Sequence, residues 1–221
     1  MSKRTTRIIL LVLLIVPVFL LVRNFSGGSE IVEKSIEKVS RLNFLESPVQ
    51  TEASGETSVR IYGTNVKLTY VAEYTISGRV LITQSFSGGT KGRLSPVDVA
   101  LAWDFLADTQ VDSKITWGIP KSRFYSFAVS DGAWLNRVGG PNVIISNSAN
   151  NHLIPADNKI RELIGLIEAG DYIRIEGYLV NVYWEAGFGS YYAWDTSTTR
   201  TDTGDGSCEI IYVTDIKWLE L

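Results

Sequence analysis

The sequence predicts a mainly β (α+β) domain that follows an N-terminal transmembrane helix. One uncharged apolar run lies at residues 8–22, and later segments rich in Val, Ile, Thr and Tyr show strand-like alternation. The composition, 45% apolar and 20% charged, is that of a globular protein rather than a disordered one. We therefore expect a signal anchor over residues 1–25, a stalk and linker over 26–60, and an extracytoplasmic globular domain over 61–221.

The apolar run is flanked by basic residues, as expected for a signal anchor. Lys3, Arg4 and Arg7 precede it and Arg23 follows it, and no small-x-small cleavage pair stands at the usual distance after it. Because the basic residues are concentrated before the run, the positive-inside rule places the N-terminus in the cytoplasm and the domain outside it. A secreted protein with a cleaved signal peptide is the alternative.

The segment between the anchor and the domain has weaker signals. Apolar residues near helical spacing predict a short amphipathic helix, and a later stretch with Pro, Gly and small polar residues predicts a linker. The apolar positions are Ile31, Ile36, Val39 and Leu42, and the linker covers residues 47–58.

The first strand of the domain is predicted to be long and bent. It covers residues 66–86, and Gly78 within it indicates a bulge or a corner. Ser95 and Pro96 are typical of a helix start, because serine caps the first turn and proline fits the first helical position. We therefore expect a helix over residues 95–108.

A second helix precedes another long strand. Asp157 can cap this helix, its apolar stripe begins at Ile160, and Gly170 ends it. The following strand, residues 170–184, breaks phase at Gly177, which indicates a second bulge. Shorter strands are predicted at residues 122–129, 142–146, 190–194 and 208–221.

Six or seven strands with two helices fit two architectures. Long strands interrupted by glycine, with a helix inserted before one of them, favour an OB-like small β-barrel with two helices. An open antiparallel sheet with both helices on one face is the alternative.

Four segments support a resemblance to a known family. They read LSPVDVAL, SANNHLIPAD, GYLV and TRTDTGDGSCE, and they lie at residues 94–101, 148–157, 177–180 and 199–209. From about Tyr70 to the C-terminus the chain resembles a family of uncharacterised bacterial proteins with an N-terminal membrane anchor. The resemblance implies a single-pass protein of the cytoplasmic (inner) membrane with a periplasmic domain. It implies no substrate, cofactor or catalytic residue.

Charge and rare residues exclude several classes of partner. After Arg23 the chain holds 17 basic and 24 acidic residues (21 minus the four before residue 30, against 24), a net charge of -7. Nucleic-acid binding is disfavoured, because its affinity comes largely from Lys and Arg at phosphates. With one cysteine and one histidine, we assign no metal and no cofactor.

Two polar segments contain the residues that could perform chemistry. His152 with Cys208 has the composition of a nucleophile pair, and Asp202-Thr203-Gly204 spells an aspartic-protease motif. Cys208, however, begins an apolar strand, where a thiol is usually a core residue. The motif at Asp202 lacks the apolar residues that normally precede it, so a hydrolase is only the alternative function.

The two polar segments also predict a ligand site. Residues 146–157 and 197–207 hold more Ser, Thr, Asn and Asp than connections need, and both are predicted to be long loops. If they meet at one rim of a barrel, His152, Asn150 or Asn151, Arg200 and Asp202 converge there. Arg200 would then pair with a carboxylate such as Asp202 or Asp157, and the cluster would either bind the ligand or only hold the loops together.

Aromatic residues are densest on a predicted hairpin around Gly187 and Gly189. Alternation sends about half of them inward and leaves the others for solvent, membrane headgroups or a partner. The six residues are Tyr183, Trp184, Phe188, Tyr191, Tyr192 and Trp194. The leading hypothesis is therefore a non-enzymatic, membrane-anchored binding or scaffolding domain that recognises a protein or glycan partner.

Overall fold

The structure is a computed structural model that describes four stretches of the chain, residues 32–38, 46–119, 123–199 and 207–220. The predicted anchor at residues 8–22 lies outside the described residues, as do Arg200 and Asp202. No helix in these four stretches has the length and hydropathy to cross a lipid bilayer.

The described chain is mainly β, with 52% strand, as predicted. Its strands are β1 (Ile36–Lys38), β2 (Val49–Glu52), β3 (Glu56–Ile61), β4 (Thr64–Ser85), β5 (Val97–Ala102), β6 (Ile115–Gly118), β7 (Ser126–Val129), β8 (Ser148–Pro155), β9 (Tyr172–Gly187), β10 (Ser190–Trp194) and β11 (Glu209–Glu220). Apart from β6 and β7, which pair with each other, these strands form one large sheet.

The large sheet is mixed, and its order is β1-β11-β8-β5-β4-β9-β10, with β2 and β3 also paired to β4. Strand β11 runs parallel to β1 and β8, so the antiparallel alternative is wrong. Strand β11 also pairs with β9. The pairings β4–β5, β5–β8, β8–β11, β11–β9 and β9–β4 therefore form a closed circuit of strands.

The helices are short and lie between strands. They are α1 (Gly89–Leu94), α2 (Thr109–Asp112), α3 (Gly132–Arg137), α4 (Pro141–Ser146) and α5 (Asn158–Gly165), with one 3-10 turn at Asp104–Ala107. Helix α5 begins as predicted, because the Asp157 side chain accepts a hydrogen bond from Ile160 N at 2.8 Å. The helix ends at Gly165 rather than at the predicted Gly170.

The predicted helix over residues 95–108 is wrong, because strand β5 occupies its first half. All six residues of β5 are buried between β4 and β8. A strand covered on both faces shows no polar alternation, so its apolar run cannot be told from a buried helix by pattern. Ser95 caps no helix; its Oγ accepts a hydrogen bond from Arg123 Nη2 at 2.9 Å.

Two further predictions near β8 are wrong. Residues 141–146 form helix α4 rather than a strand, with Pro141 in its first turn. The predicted polar loop over residues 146–157 is mostly strand β8, all eight residues of which are buried. Its polar side chains are buried because backbone groups bond them: Ser148 Oγ donates to Ile144 O at 2.7 Å.

The predicted amphipathic helix and linker also contain strands. Residues 36–38 form β1, which pairs with the C-terminal end of β11, and residues 49–52 and 56–61 form β2 and β3 along β4. Exposed edge strands carry many polar residues, which is why this stretch has the composition of a linker. The sheet therefore begins well before residue 61.

Both predicted long strands are present, and their glycines mark close backbone approaches. A Cβ at Gly78 would lie 2.3 Å from Ala102 O, and a Cβ at Gly177 would lie 2.1 Å from Tyr212 O. The bulge opposite Gly177 lies on β11, between Val213 and Asp215. Only glycine fits at these two positions, because a Cβ atom would collide with the neighbouring backbone.

Two apolar clusters cover the sheet near the predicted site. The first lies at the end of the sheet where β3 meets β4, and contains Ile61, Val66, Leu68, Leu94, Ile154, Val180, Val182, Trp184 and Ile210. The second lies between β5 and the segment 103–147, and contains Leu81, Ala100, Ala102, Leu106, Ile115, Ile119, Trp134 and Ile144.

Candidate functional site

His152, a predicted site residue, lies in a buried polar cluster on the paired strands β5 and β8. It is directly opposite Asp98 in the antiparallel register. His152 Nδ1 lies 2.9 Å from Asp98 Oδ1. The Asp98 carboxylate is therefore within hydrogen-bond distance of the imidazole. Asp98 is fully buried and His152 is 3% exposed.

Arg123 provides the main partner of the Asp98 carboxylate. Its Nε donates to Asp98 Oδ2 at 3.0 Å, and its Nη2 donates to Asp98 Oδ1. The same Nη2 lies 2.9 Å from both the Oγ and the carbonyl oxygen of Ser95. This two-pronged geometry matches a planar guanidinium to a carboxylate, which is the arrangement that makes a buried ion pair tolerable.

Trp194, at the end of β10, covers this cluster. Its ring centroid lies 4.6 Å from that of His152, and the Arg123 guanidinium lies 5.3 Å from it. Lys91 Nζ lies 4.6 Å from the same ring. We call Ser95, Asp98, Arg123, His152 and Trp194 the Asp98 cluster. It joins the loop after β4, strands β5 and β8, and the end of β10.

Burial lowers the pKa of His152, while the neighbouring Asp98 carboxylate opposes that shift and Arg123 and Lys91 add to it. The pKa of this imidazole therefore lies below its ordinary value of about 6.5, and the ring is neutral at pH 7 in the folded protein. A neutral, nearly inaccessible imidazole can pack in the core and contact Asp98. It has little access to a substrate.

Of the two predicted asparagines, only Asn150 shares a face of β8 with His152. Asn150 Nδ2 donates to Arg123 O at 2.8 Å and lies 3.5 Å from Cys208 Sγ. Asn151 points to the opposite face, where its Nδ2 donates to Val99 O at 3.1 Å. Both side chains thus bond the backbone of neighbouring segments.

Cys208 is buried just before β11. His152 pairs with Ile210 in the parallel register, so Cys208 is displaced by two residues and one strand from His152, about 8 Å between Cα atoms. Asn150 contacts the sulfur. A Cys–His nucleophile pair needs direct hydrogen-bond contact between the two side chains, and this arrangement does not favour one.

The second polar segment, residues 197–207, is described only at its ends. Ser197 N donates to Cys208 O at 3.0 Å, and Ile210 N donates to Thr196 Oγ1 at 3.0 Å. These contacts place both ends beside the start of β11, the neighbour of β8. Arg200 and Asp202 lie outside the described residues, so their predicted convergence with His152 stays a prediction.

The aromatic hairpin, residues 183–194 on β9 and β10, divides its rings between interior and surface. Trp184 is buried in the first apolar cluster and Trp194 covers the Asp98 cluster. Four rings are exposed, namely Tyr183 at 41%, Phe188 at 110%, Tyr191 at 66% and Tyr192 at 54%. Tyr183 stacks on Tyr191 at 5.6 Å and Trp184 stacks on Tyr192 at 5.1 Å, so cross-strand contacts hold the three exposed tyrosines in place.

The sequence-based prediction of the site missed Asp98 and Arg123. The signal for Asp98 was a single carboxylate inside the otherwise apolar stretch VDVALA. A charge in a buried strand requires a partner, and that reasoning predicts a basic residue elsewhere in the chain. Nothing local identifies Arg123, because its role depends on the fold of the segment between β5 and β8.

The geometry of the Asp98 cluster is that of a structural junction. Its carboxylate is saturated by Arg123 and His152, and the described residues contain no group of three or more His, Cys, Asp or Glu side chains arranged to hold a metal ion. Comparison with known proteins assigns no further role, since no family model, curated protein or solved structure matches the chain.

Proposed function

We propose that this protein is a non-enzymatic, membrane-anchored binding or scaffolding domain that recognises a protein or glycan partner outside the cytoplasm. Residues 8–22 would anchor it in the cytoplasmic membrane by a single pass. The burial of His152 and Asp98 supports binding over hydrolysis, because a hydrolase needs its acid–base residue within reach of substrate.

We further propose that the closed circuit of strands is an OB-like barrel. In chain order the strands of the circuit are β4, β5, β8, β9 and β11. The first, β4, pairs with the second and fourth, β5 and β9. The fifth, β11, pairs with the third and fourth, β8 and β9. Helix α5 lies between the third and fourth, β8 and β9. OB folds bind ligands with the loops after their first and fourth strands. Here those loops contain Lys91 and Trp194, which contact each other at 4.6 Å.

The observation that supports the function most directly is the set of exposed aromatic rings on the two faces and the turn of the hairpin. Three exposed tyrosines and Phe188 lie on β9, β10 and their turn, on a strand pair held by cross-strand stacking. Flat, fixed rings with hydroxyl groups suit sugar rings or an extended peptide, because they offer apolar area at low entropic cost. Within the described residues β10 pairs only with β9, so its outer edge is also available to a peptide strand.

The test replaces Tyr191 and Tyr192 together with alanine in the full-length protein. A photo-crosslinking residue placed at Phe188 in cells should capture a defined partner, and purified protein should co-sediment with insoluble cell-wall polysaccharide if the partner is a glycan. The double variant should lose whichever interaction is found. Val49→Ala serves as the control, because Val49 is a 57% exposed apolar residue on another edge strand, β2.

Retention of both interactions by the Tyr191/Tyr192 variant, with an unchanged melting temperature, would contradict the proposal. The location is tested separately. A reporter fused after Leu221 should be active only outside the cytoplasm, and the mature protein should still begin near Met1. A mature N-terminus between Arg23 and Ser29 would show a cleaved signal instead.

A further inference from the structure

A cationic cavity lies apart from the aromatic hairpin, where the β3–β4 turn, the loop after β4 and helix α5 meet. Its volume is about 490 Å³, and three arginines line it together with two aromatic rings. These residues are Arg60, Arg93, Arg161, Tyr62 and Phe86. No acidic side chain lines the cavity.

The three arginines are unusual in their surroundings. The chain after Arg23 has a net charge of -7, yet no ion pair within the described residues joins Arg60, Arg93 or Arg161 to a carboxylate. Arg123, by contrast, has the buried carboxylate of Asp98. Guanidinium groups gathered without counter-charges form a site that attracts anions.

Two contacts hold Arg93 and Arg161 in position. The Arg93 guanidinium lies 3.9 Å from the centre of the Tyr62 ring, and Arg161 Nη1 donates to Arg93 O at 3.4 Å. Arg161 is half-buried on α5, and burial lowers its pKa. Because an anion beside this guanidinium would replace part of its lost hydration, the cavity is better suited to an anion than to water alone.

We propose that this cavity binds the oxyanion group, phosphate or carboxylate, of a small ligand whose ring packs against Tyr62 and Phe86. Planar guanidinium groups bind both kinds of oxyanion through two parallel hydrogen bonds. The cavity is larger than a single phosphate needs and falls within the usual range for small-molecule sites, about 300–1,000 Å³. A phosphorylated or carboxylated monosaccharide has the required size, charge and ring.

The test is calorimetric titration of the purified full-length protein with inorganic phosphate, glucose 6-phosphate and glucuronate. Glucose 6-phosphate or glucuronate should bind more tightly than inorganic phosphate, and the better of the two identifies the oxyanion. Arg93→Gln and Arg161→Gln should each weaken binding about tenfold, the usual effect of losing one charge-assisted hydrogen bond. Tyr62→Ala should weaken the sugar ligands more than it weakens inorganic phosphate, because the ring packs on the sugar and also positions Arg93.

Arg137→Gln is the matched control, because it removes the same charge from a side chain 67% exposed on α3, outside the cavity. Its affinities should stay within about twofold of the wild type. The proposal is wrong if none of the three anions binds, or if Arg137→Gln weakens binding as much as Arg93→Gln does. It is also wrong if a single-stranded oligonucleotide binds more tightly than every small anion.

The two sites are separable. The Tyr191/Tyr192 double variant should retain anion binding in full, since neither residue lines the cavity. If Arg161→Gln lowers the melting temperature, Arg93→Gln decides the result, because Arg93 is an exposed residue of α1.

Discussion

Replacing Asp98 with asparagine tests whether the Asp98 cluster holds the fold together. The substitution keeps the shape of the side chain but leaves the Arg123 guanidinium, 11% exposed, without its counter-charge. Breaking a buried ion pair by removing one partner typically costs about 3–5 kcal/mol. For a domain of this size each kcal/mol lowers the melting temperature by about 2–4 °C, so we expect a decrease of about 6–20 °C.

The assay is thermal and urea unfolding at pH 7.4, followed by circular dichroism. Lys67→Gln is the control, because Lys67 and Glu56 form an exposed pair, 49% and 64% accessible, that should contribute less than about 1 kcal/mol. A double variant with Arg123→Gln should be less destabilised than the sum of the two single variants. A loss below about 1 kcal/mol for Asp98→Asn, or strict additivity, would refute the reasoning.

Three further predictions concern pH, backbone packing and helix capping. Burial lowers the pKa of His152, so as pH decreases the imidazole is protonated in the unfolded chain before it is protonated in the folded one. The free energy of unfolding should therefore fall as pH decreases below about 6.5, by at most about 1.4 kcal/mol per pH unit. His152 is the only histidine, so His152→Gln should flatten unfolding free energy between pH 7.5 and 5.5, and a persistent slope would contradict this. Gly177→Ala should cost about 3 kcal/mol in urea unfolding because its Cβ would meet Tyr212 O, whereas Gly132→Ala, with open space around it, should stay within about 0.5 kcal/mol. Asp157→Ala should cost about 1 kcal/mol through loss of the α5 cap, and equal stability of this variant would show that the cap is dispensable.

The elements that the sequence predicted correctly have local signals. Strands β4 and β9 show alternating apolar residues and have glycine where another backbone approaches closely, and helix α5 begins after its own capping aspartate. Each of these features is set by neighbours within a few residues. Local physics is therefore sufficient to identify them.

The elements that the sequence did not predict depend on distant partners. All six residues of strand β5 are buried, so both of its faces are covered and the alternation that identifies strands is absent. Strand β8 is polar in its first half because its side chains bond distant backbone, as Asn151 does with Val99 O. Neither fact can be read from neighbouring residues.

The candidate site was predicted in part for the same reason. His152, Asn150 and Trp194 were chosen for their residue types, and the structure brings them together. Asp98 and Arg123 were not chosen, because one was interpreted as the first turn of a helix and the other had no local context. Asp98 and Arg123, which link His152 to the rest of the cluster, thus depend on tertiary structure for their roles.

The double pairing of β11 has a consequence for how the protein is made. Strand β11 is the last strand of the described residues, and it bonds to both β8 and β9. A chain still on the ribosome can form the β4–β5 and β4–β9 pairs, but one edge of β8 and one of β9 stay open until residues 209–220 are added. Open edges favour aggregation and binding by chaperones. Chains truncated before Glu209 should therefore be degraded, and addition of residues 209–220 is the step at which this domain becomes resistant to proteases.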